Sequence, residues 1–377
     1  MFYENVNSEM FGNLGIIAFE NCMELGMKID DRIRYDRMNQ NQRVPDSYLI
    51  PMNEIRFSNG EGKIKLTESV RGRDIYLICD IGNYSCTYDM YGYKNRVGPD
   101  EHFQDLKRAL SAIGGKARRT TVIMPLLYAA RQHKRKGRES LDCAIALREL
   151  ENMGVKDIIT FDVHDPNVQN AVPLCSFENL YATYEIVKRI MSDETNLLTD
   201  KSKLLVISPD PGAMERAIYY SSILDIDVGL FYKRRDYSKV VKGKNPIIQH
   251  EYMGQSVEGK NIFIIDDMIS SGESVLDIAG ELKHRGAAKI FIATTFSLFT
   301  EGTDKFQHFY EKGLFDRVYS TNLTHVPDNI AEHEWFKLVD MSSYLASVID
   351  LLNYDRSIEP LIDATDSLRD MIQSFRK

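Results

Sequence analysis

Short apolar runs alternate with longer segments of helical periodicity along most of the chain. Runs of this kind are typical of strands that are buried on both faces of a parallel sheet. The strand-like runs cover residues 14–19, 75–79, 121–126, 157–161, 204–208, 227–232, 262–265 and 290–297. The helical segments between them include residues 22–33, 102–113, 141–153 and 211–224. This alternation predicts an α/β fold in which helices cover mostly parallel sheets.

The rhythm of strand and helix breaks near residues 177–182 and then starts again. A chain of 377 residues is long enough for two domains of ordinary size. We therefore predict an N-terminal α/β domain over residues 1–178 and a second α/β domain over residues 179–340. Residues 341–377 carry two amphipathic stripes, which predict helices that pack back on the N-terminal domain or on a partner subunit. The stripes consist of Leu345, Val348, Ile349 and Leu352, and of Leu368, Met371, Ile372 and Phe375.

Three polar segments interrupt this pattern. Residues 35–51 hold two prolines, residues 82–99 are rich in tyrosine, glycine and asparagine, and residues 242–260 are glycine-rich and polar. Segments of this composition favour turns and loops over regular elements. We expect loops at the first two segments and a loop or a hairpin at the third.

Composition and charge narrow the range of partners. The 47 basic and 55 acidic residues give a net charge of −8, which argues against a nucleic-acid partner because such proteins are basic. The five cysteines are scattered without a C-x-x-C pair, as expected for reduced thiols in a cytoplasmic protein. No apolar run approaches the ~20 residues that span a bilayer, and residues 1–20 lack the pattern of a secretory signal. We therefore expect no membrane partner.

The most informative feature is a pair of adjacent carboxylates after the run over residues 262–265. Asp266 and Asp267 follow the apolar residues directly, and a small hydroxyl-rich turn comes next. The turn consists of Ser270, Ser271, Gly272, Glu273 and Ser274. An acidic pair after a strand is commonly only a helix cap. Carboxylates that hold sugar hydroxyls or Mg²⁺, next to turn amides that favour an anion, also suit a sugar phosphate at a strand's carboxyl end.

Two polar clusters follow strand-like runs in the N-terminal half. The run over residues 121–126 is followed by a basic segment that begins with Arg131 and Gln132. This segment is either a solvated loop or a cationic flap that covers a polyphosphate. His164 follows the run over residues 157–161 and is either a packed histidine or a residue that binds a divalent ion or a phosphate.

Two more clusters follow runs in the C-terminal half. Asp210 follows the run over residues 204–208 and is well placed to cap a helix, a role compatible with coordinating Mg²⁺ through its water shell. Lys233 and Arg235 follow the run over residues 227–232. They are either a solvated basic turn or cations that stabilise charge in phosphoryl transfer.

A turn near the N-terminus completes the set of candidates. Phe57, Asn59 and Glu61 lie within seven residues, 56–62, that contain two glycines. Alone they indicate only a turn. An aromatic ring beside an amide and a carboxylate could also stack on a nucleobase and hydrogen-bond to its edge.

Together, and in this order, these segments resemble the ribose-phosphate pyrophosphokinase family. The acidic pair and its turn also resemble the phosphoribosyl-diphosphate loop of type I phosphoribosyltransferases, and the wider resemblance runs from about residue 14 to about residue 352. It implies two tandem type I phosphoribosyltransferase-like domains, each a mostly parallel sheet flanked by helices. It also implies the family reaction, in which the C1 hydroxyl of ribose 5-phosphate attacks the β-phosphorus of ATP and AMP leaves.

The resemblance also implies roles for single residues. The ATP-binding positions of the family match Phe57, Asn59, Glu61, Arg131, Gln132 and His164. Its magnesium-associated positions match His164 and Asp210, so Mg²⁺ is the expected cofactor. The cations that stabilise the transferring group match Lys233, Arg235 and Arg131. The ribose 5-phosphate site matches Asp266, Asp267, Ser270, Ser271, Gly272, Glu273 and Ser274. Family members commonly form hexamers built from dimers, which implies a homo-oligomer.

The chain departs from the family pattern at several points. Glu273 occupies a usual glycine position in the turn, and Ser270 replaces a usual aspartate. His133 and Lys136 stand in the flap where the family often has acidic residues, and residues 82–99 and the C-terminal helix also differ. The altered turn leaves open one alternative, a catalytically weak or silent regulatory subunit. Another is a phosphoribosyltransferase, which uses the same activated sugar, although such enzymes lack the ATP-binding half.

Overall fold

The chain forms two compact units. The computed structural model describes residues 9–135, 137–195, 197, 200–235 and 247–375, without the side chains of residues 233–235, 247–250 and 373–375. Unit 1 comprises the chain up to Tyr181, Asn322–His325 and Asp340–Asp363. Unit 2 comprises Ala182–Thr321, Val326–Val339 and the chain from Ala364 onward.

Unit 1 is built on a parallel sheet. Its strands are β1 (Asn13–Ala18), β2 (Met52–Arg56), β3 (Gly62–Leu66), β4 (Arg73–Ile78), β5 (Thr87–Met90), β6 (Tyr93–Arg96), β7 (Arg119–Ile123), β8 (Asp157–Phe161) and β9 (Ser176–Leu180). Its helices before Tyr181 are α1 (Met23–Asn39), α2 (Pro99–Ile113) and α3 (Asp142–Asn152). The sheet has the order β1-β4-β7-β8-β9 with every pair parallel. The other strands form two antiparallel hairpins, β2–β3 and β5–β6.

Helix α2 shows how the local sequence sets an element of unit 1. Pro99 occupies the first helical position, and the Glu101 carboxylate accepts a hydrogen bond of 2.8 Å from the backbone N–H of Gly98. The helix ends at Gly114, whose φ of 57° lies in the left-handed region that glycine tolerates. Its apolar face, which includes Leu106 and Leu110, is buried in the core against the central strands. The polar face of α2 is thereby left to hold other segments.

Unit 2 is built on a larger, mostly parallel sheet. Its strands are β10 (Leu204–Ser208), β11 (Val228–Arg235), β12 (Ile247–Met253), β13 (Asn261–Ile269), β14 (Lys289–Ser297), β15 (Arg317–Thr321) and β16 (Phe336–Val339). Its helices in this region are α4 (Thr183–Asp193), α5 (Met214–Leu224), α6 (Glu273–His284), α7 (Asp304–Glu311) and α8 (Asp328–Ala331). The order is β12-β11-β10-β13-β14-β15-β16, and the β11–β12 pair alone is antiparallel among these described strands.

The C-terminal helices are shared between the two units. They are α9 (Ser342–Asn353), α10 (Glu359–Ile362) and α11 (Thr365–Phe375). Helix α9 packs against α1 in unit 1, whereas α11 packs against α4 and α5 in unit 2. The predicted stripes face the chain itself, since Leu345, Val348 and Ile349 of α9 and Leu368 and Ile372 of α11 are buried.

The fold class predicted from sequence is confirmed. Strands β8 and β10 have the predicted bounds. Of the segment predicted as a loop or a hairpin, residues 247–253 form strand β12, which pairs with β11, and residues 242–246 lie outside the described residues. The loop predicted over residues 82–99 is wrong in its middle, where hairpin β5–β6 forms. Strand β5 alternates between exposed and half-buried residues but β6 does not, so the periodicity gives only a weak signal in so short and polar a segment. Among the described helices, none combines the length and apolarity that crossing a membrane requires.

Candidate active site

The acidic pair of unit 2 lies inside strand β13. The strand was expected to end at residue 265, but it continues through Asp266 and Asp267 to Ile269. The physical reason is β14, which is equally long and keeps pairing with β13 through Met268 and Ile269. The expected strand end is therefore corrected by four residues, and the carboxylates lie near the carboxyl end of the strand, with Met268 and Ile269 between them and the turn.

Burial changes the proton affinity of this pair. Asp267 is 5% exposed, and its backbone N–H donates a hydrogen bond of 2.9 Å to Asp266 Oδ1. Burial, and next the charge of Asp267, raise the pKa of Asp266 well above its ordinary value. The Arg216 guanidinium opposes this shift, whereas the Asp210 carboxylate adds to it. Asp210, Arg216 and the acidic pair thus form one electrostatic group in unit 2.

Arg216 has no role among the residues predicted from sequence. It is half-buried in the first turn of α5, directly after the short helix that Asp210 caps. The first turn of a helix that follows a strand lies at the edge where parallel strands end. That placement is the signal that could have identified Arg216 as a cation that acts on the acidic group.

The turn after β13 depends on a glycine. Gly272 has a φ of 81°, and a Cβ on it would lie 2.2 Å from the ring of Phe306. Helix α6 starts one residue later at Glu273, whose backbone N–H donates to the Ser271 hydroxyl at 3.5 Å. Ser270 is half-buried and Ser274 is exposed in the first turn of α6. The N-terminus of a twelve-residue helix thus faces the turn and favours an anion.

Glu273 carries a negative charge at this position, but a lysine offsets it. The side chain of Glu273 is exposed. Lys305 of α7 has a raised pKa, first because of its hydrogen bond with Glu301 and further because of the charges of Glu273 and Asp277. The charge of Glu273 therefore lies close to a cation on the neighbouring helix.

Asp210 acts as a helix cap. Its Oδ1 accepts hydrogen bonds from the backbone N–H groups of Gly212 at 2.8 Å and Ala213 at 3.2 Å. Both bonds go to the same oxygen, so the cap does not use Oδ2. Lys233 and Arg235 lie in the last three residues of β11, and their side chains lie outside the described residues.

In unit 1, three candidate residues share one hairpin tip. Phe57, Asn59 and Glu61 are exposed on the turn that joins β2 to β3. The backbone N–H of Phe57 donates to the Glu61 carbonyl at 2.8 Å, and the N–H of Glu61 donates to Asn59 Oδ1 at 3.1 Å. An exposed ring, 48% accessible, therefore stands beside an amide and a carboxylate on a hydrogen-bonded turn.

The basic segment and His164 also come together in unit 1. Arg131 and Gln132 are exposed on the loop after β7, and His164 is exposed on the loop after β8. Between them, the rings of His133 and His164 have centroids 5.5 Å apart, and His133 Nε2 lies 3.3 Å from Asp165 Oδ2.

Asp165 links the two loops electrostatically. Its pKa is lowered, first by a backbone hydrogen bond from Asn167 and then by its side-chain bond and the charges of His133 and Lys134. Among the described residues, no group of three or more His, Cys, Asp or Glu side chains is arranged to hold a metal ion.

Each of the two α/β units has a mostly parallel sheet with polar side chains where its strands end. This arrangement is typical of proteins that bind phosphorylated ligands at the carboxyl ends of their strands. The model for the N-terminal domain of ribose phosphate pyrophosphokinase matches residues 14–154, and the phosphoribosyl transferase domain model matches residues 176–328. The chain therefore belongs to the ribose-phosphate pyrophosphokinase family.

Relatives with this name align over most of their length. A ribose-phosphate pyrophosphokinase from Prochlorococcus marinus is 26% identical over 84% of this chain and 88% of its own. One from Mycoplasma pneumoniae is 28% identical over 73% of this chain and 76% of its own. The crystal structure of phosphoribosylpyrophosphate synthetase from Mycobacterium smegmatis is 20% identical, with a TM-score of 0.72 over 91% of this chain and 99% of that one. This last likeness supports the fold.

Proposed function

We propose that this protein is a ribose-phosphate diphosphokinase that transfers diphosphate from ATP to ribose 5-phosphate. The products are phosphoribosyl diphosphate and AMP. The observation that carries the proposal is the acidic pair with its glycine turn before α6, in a chain whose halves match the two domains of the family. Both sheets present polar side chains where their strands end, as a two-substrate enzyme requires.

Unit 2 is proposed to bind ribose 5-phosphate. The carboxylates of Asp266 and Asp267 would accept hydrogen bonds from the ribose hydroxyls. The amides and hydroxyls of Ser270, Ser271 and Ser274 would hold the phosphate at the N-terminus of α6. Arg216 only opposes the rise in the pKa of Asp266, but a carboxyl group that binds a proton still has an acceptor oxygen for the sugar and gains an O–H donor.

Unit 1 is proposed to bind ATP. The exposed ring of Phe57 would stack on the adenine, and Asn59 and Glu61 would hydrogen-bond to its edge. Arg131 and Gln132 would contact the phosphates from the loop after β7, near His164. The sequence of this loop supports the assignment, because Arg131, Lys134 and Arg135 give it a surplus of positive charge.

The proposed reaction needs no protein nucleophile. The C1 oxygen of the sugar forms a bond to the β-phosphorus, the bond between that phosphorus and the oxygen of the α-phosphate breaks, and AMP departs with that oxygen. The C1 hydroxyl loses its proton to the solvent. Lys233, Arg235 and Arg131 are proposed to stabilise the negative charge on the transferring group, so catalysis depends on alignment and on fixed cations.

Mg²⁺ is the proposed cofactor. Asp210 would hold the ion through the carboxylate oxygen that its helix cap leaves unused, and His164 would do so from its exposed ring. The ion would screen the charge of the nucleotide's phosphates. The protein's own task is to present these two side chains and to align the substrates.

An assay of the purified full chain tests the proposal. With ATP and Mg²⁺, AMP should appear only when ribose 5-phosphate is added, and phosphorus NMR should show phosphoribosyl diphosphate in equal amount. AMP release without the sugar, or no AMP release under any condition, would contradict the proposed activity.

Glu273 is the ground for the alternative of a weak or silent regulatory subunit, which the names of the relatives do not favour. A negative charge in a phosphate-binding turn opposes the ligand, even with Lys305 nearby. Binding of ribose 5-phosphate, measured by calorimetry without ATP, separates the candidates: the enzyme binds it, and a silent subunit with a blocked turn does not.

A homo-oligomer is also proposed, and sedimentation velocity checks it directly.

A further inference from the structure

The hairpin β5–β6 lies in residues 82–99, where the sequence departs from the family pattern. The structure packs it beside the hairpin β2–β3, whose tip carries Phe57, Asn59 and Glu61. Both hairpins belong to unit 1; β3 packs against α2, and Tyr88 of β5 hydrogen-bonds to Glu101 of α2. The contacts among these three elements show what the additional hairpin does.

Tyr88 of β5 is the central contact. The Arg56 guanidinium lies over the ring of Tyr88, with the carbon of the guanidinium 5.1 Å from the ring centroid. The Tyr88 hydroxyl donates a hydrogen bond of 2.7 Å to Oε1 of Glu101 in α2. Arg56 directly precedes Phe57, so the residue that Tyr88 touches is the start of the tip turn.

Helix α2 anchors both hairpins through residues one turn apart. Asp105 accepts from Arg56 at 2.5 Å and from Arg108 at 2.6 Å, and its side chain is 8% exposed. Glu101 accepts from Tyr88 through one oxygen and from the Gly98 backbone through the other. Arg56 is therefore held from two sides, by the carboxylate of α2 and by the ring of Tyr88.

The hairpins also touch at the tip itself. Gly60, in the tip turn, has a φ of 89°, and a Cβ on it would lie 2.7 Å from Sδ of Met90. A cavity of about 160 Å³ lies beside these contacts, and its lining includes Arg56, Tyr88 and Asp105. Tyr88 and Met90 thus carry the contacts described here between the hairpins.

We infer that hairpin β5–β6 positions the β2–β3 tip for the nucleotide, with Tyr88 as the positioning residue. The inference rests on the proposed function, in which Phe57 stacks on the adenine of ATP. A tip with an exposed ring must become ordered when it binds a base, and a tip that is already fixed loses less entropy on binding. Loss of the Tyr88 contacts should therefore weaken ATP binding more than ribose 5-phosphate binding.

Steady-state kinetics of Tyr88→Ala test this inference. The KM for ATP should rise about ten-fold, because a cation–π contact and a hydrogen bond are lost together. The KM for ribose 5-phosphate should stay within about two-fold, because that site is assigned to unit 2. Tyr88→Phe keeps the ring over Arg56 and should recover most of the ATP affinity. Tyr93→Ala removes a 75% exposed tyrosine from the same hairpin and should behave as wild type.

Hydrogen exchange gives a readout that does not depend on activity. In Tyr88→Ala, the amides of Phe57 and Gly60, which are hydrogen-bonded within the tip turn, should exchange faster, while those of the central strand β4 should not change. If Tyr88→Ala does not fold, Met90→Ala removes the contact with Gly60 and is measured in the same way.

The outcomes separate this inference from the proposed function. If the wild type releases no AMP in response to ribose 5-phosphate, the proposed function fails. Faster exchange at the tip in Tyr88→Ala would then still show that Tyr88 holds the tip in place. If the wild type is active, an unchanged KM for ATP in Tyr88→Ala overturns the inference. An equal rise in both KM values also overturns it, because that result indicates a general structural defect.

Discussion

Gly272 is the residue whose geometry the phosphate turn depends on most directly. Its positive φ and the ring of Phe306 leave no room for a side chain. The neighbouring hydroxyls and amides therefore keep their places only while this position lacks a Cβ. No other residue type meets both conditions, because the left-handed backbone strains most residues and the ring excludes all of them but glycine.

Gly272→Ala should reduce the free energy of unfolding by about 2–5 kcal/mol, from backbone strain and overpacking together. The KM for ribose 5-phosphate should rise as well, because the turn must shift away from Phe306. Urea denaturation and kinetics check the two effects. Gly313→Ala is the matched control: Gly313 has a φ of 67° with nothing within 4 Å of a Cβ, so only the strain of about 1–2 kcal/mol should remain. Equal losses in the two variants would refute the packing argument.

Lys233 is proposed to stabilise the negative charge on the transferring group, and this role can be tested directly. Lys233→Ala should lower kcat by about 10²–10³, the typical effect of removing one group that stabilises transition-state charge. Circular dichroism should show an unchanged fold. Lys312→Ala, an exposed lysine at the end of α7, serves as the control and should keep full turnover. Normal turnover in pure Lys233→Ala would contradict the role proposed for this side chain.

At the scale of elements, a buried carboxylate attaches a distant segment to strand β4. Asp80, 3% exposed, follows this strand and accepts hydrogen bonds from the backbone N–H of His325 at 2.7 Å and the Thr324 hydroxyl at 3.0 Å. It also accepts from the N–H of Gly82 at 2.9 Å. Burial raises the pKa of Asp80 to about 7, against the lowering effect of these hydrogen bonds.

This shift predicts a pH dependence of stability. The ordinary pKa of an aspartate, about 3.9, lies below the folded value, so between about pH 4 and pH 7 the folded protein binds more protons than the unfolded chain. The contribution of Asp80 to the free energy of unfolding therefore falls as the pH rises through this window, by up to about 1.4 kcal/mol per pH unit.

Urea denaturation of the wild type and Asp80→Asn from pH 5 to pH 8 measures this contribution. The wild type should lose stability relative to the variant as the pH rises to about 7, and the difference should then level off. Asp89→Asn, an exposed aspartate in hairpin β5–β6, controls for the loss of a negative charge. A constant difference between wild type and Asp80→Asn across the range would refute the assignment.

At the scale of the whole molecule, the chain returns to unit 1 after completing the sheet of unit 2. Helix α9 is held there by a buried ion pair in which Arg37 Nε donates to Asp350 Oδ1 at 2.7 Å. Arg37 also donates to Asn353, which in turn donates to Asp74 of β4. The polar network joins α1, α9 and the central sheet.

Asp350→Ala should reduce the free energy of unfolding by about 3–5 kcal/mol, because it leaves the Arg37 guanidinium buried without its carboxylate. Asp31→Ala is the control on the same helix as Arg37: it removes an Arg34–Asp31 pair of 3.2 Å whose aspartate is 74% exposed, and should cost about 0–1 kcal/mol. The double change Arg37→Met with Asp350→Leu should recover much of the loss. Thermal and urea unfolding measure all three, and similar losses in Asp350→Ala and Asp31→Ala would rule out a buried pair.

The positions of the candidate residues relative to the sheets followed from local pattern. Strands buried on both faces are continuous apolar runs, and the polar residue that ends such a run must lie at the sheet edge. Asp210 and His164 were located in this way, and the structure places both directly after the predicted strands. Their roles stay predictions, because local pattern carries no information about ligands.

The hairpin β5–β6 could not be predicted from the local sequence pattern. Its strands have four residues each, which is too few to show a periodicity. The hairpin is held by contacts that its own residues Tyr88 and Met90 make with other elements. The same is true of Arg216, whose importance comes from its distance to a carboxylate fifty residues later in the chain.

The sequence by itself therefore determined the α/β architecture, the family and the chemical type of each cluster, because these follow from periodicity and from short motifs. Only the tertiary structure decided how far β13 extends past the acidic pair, which unit receives each C-terminal helix, and what supports the β2–β3 tip. Each of these depends on contacts between residues far apart in the chain, and pairing or burial of that kind is not encoded in any single stretch of sequence.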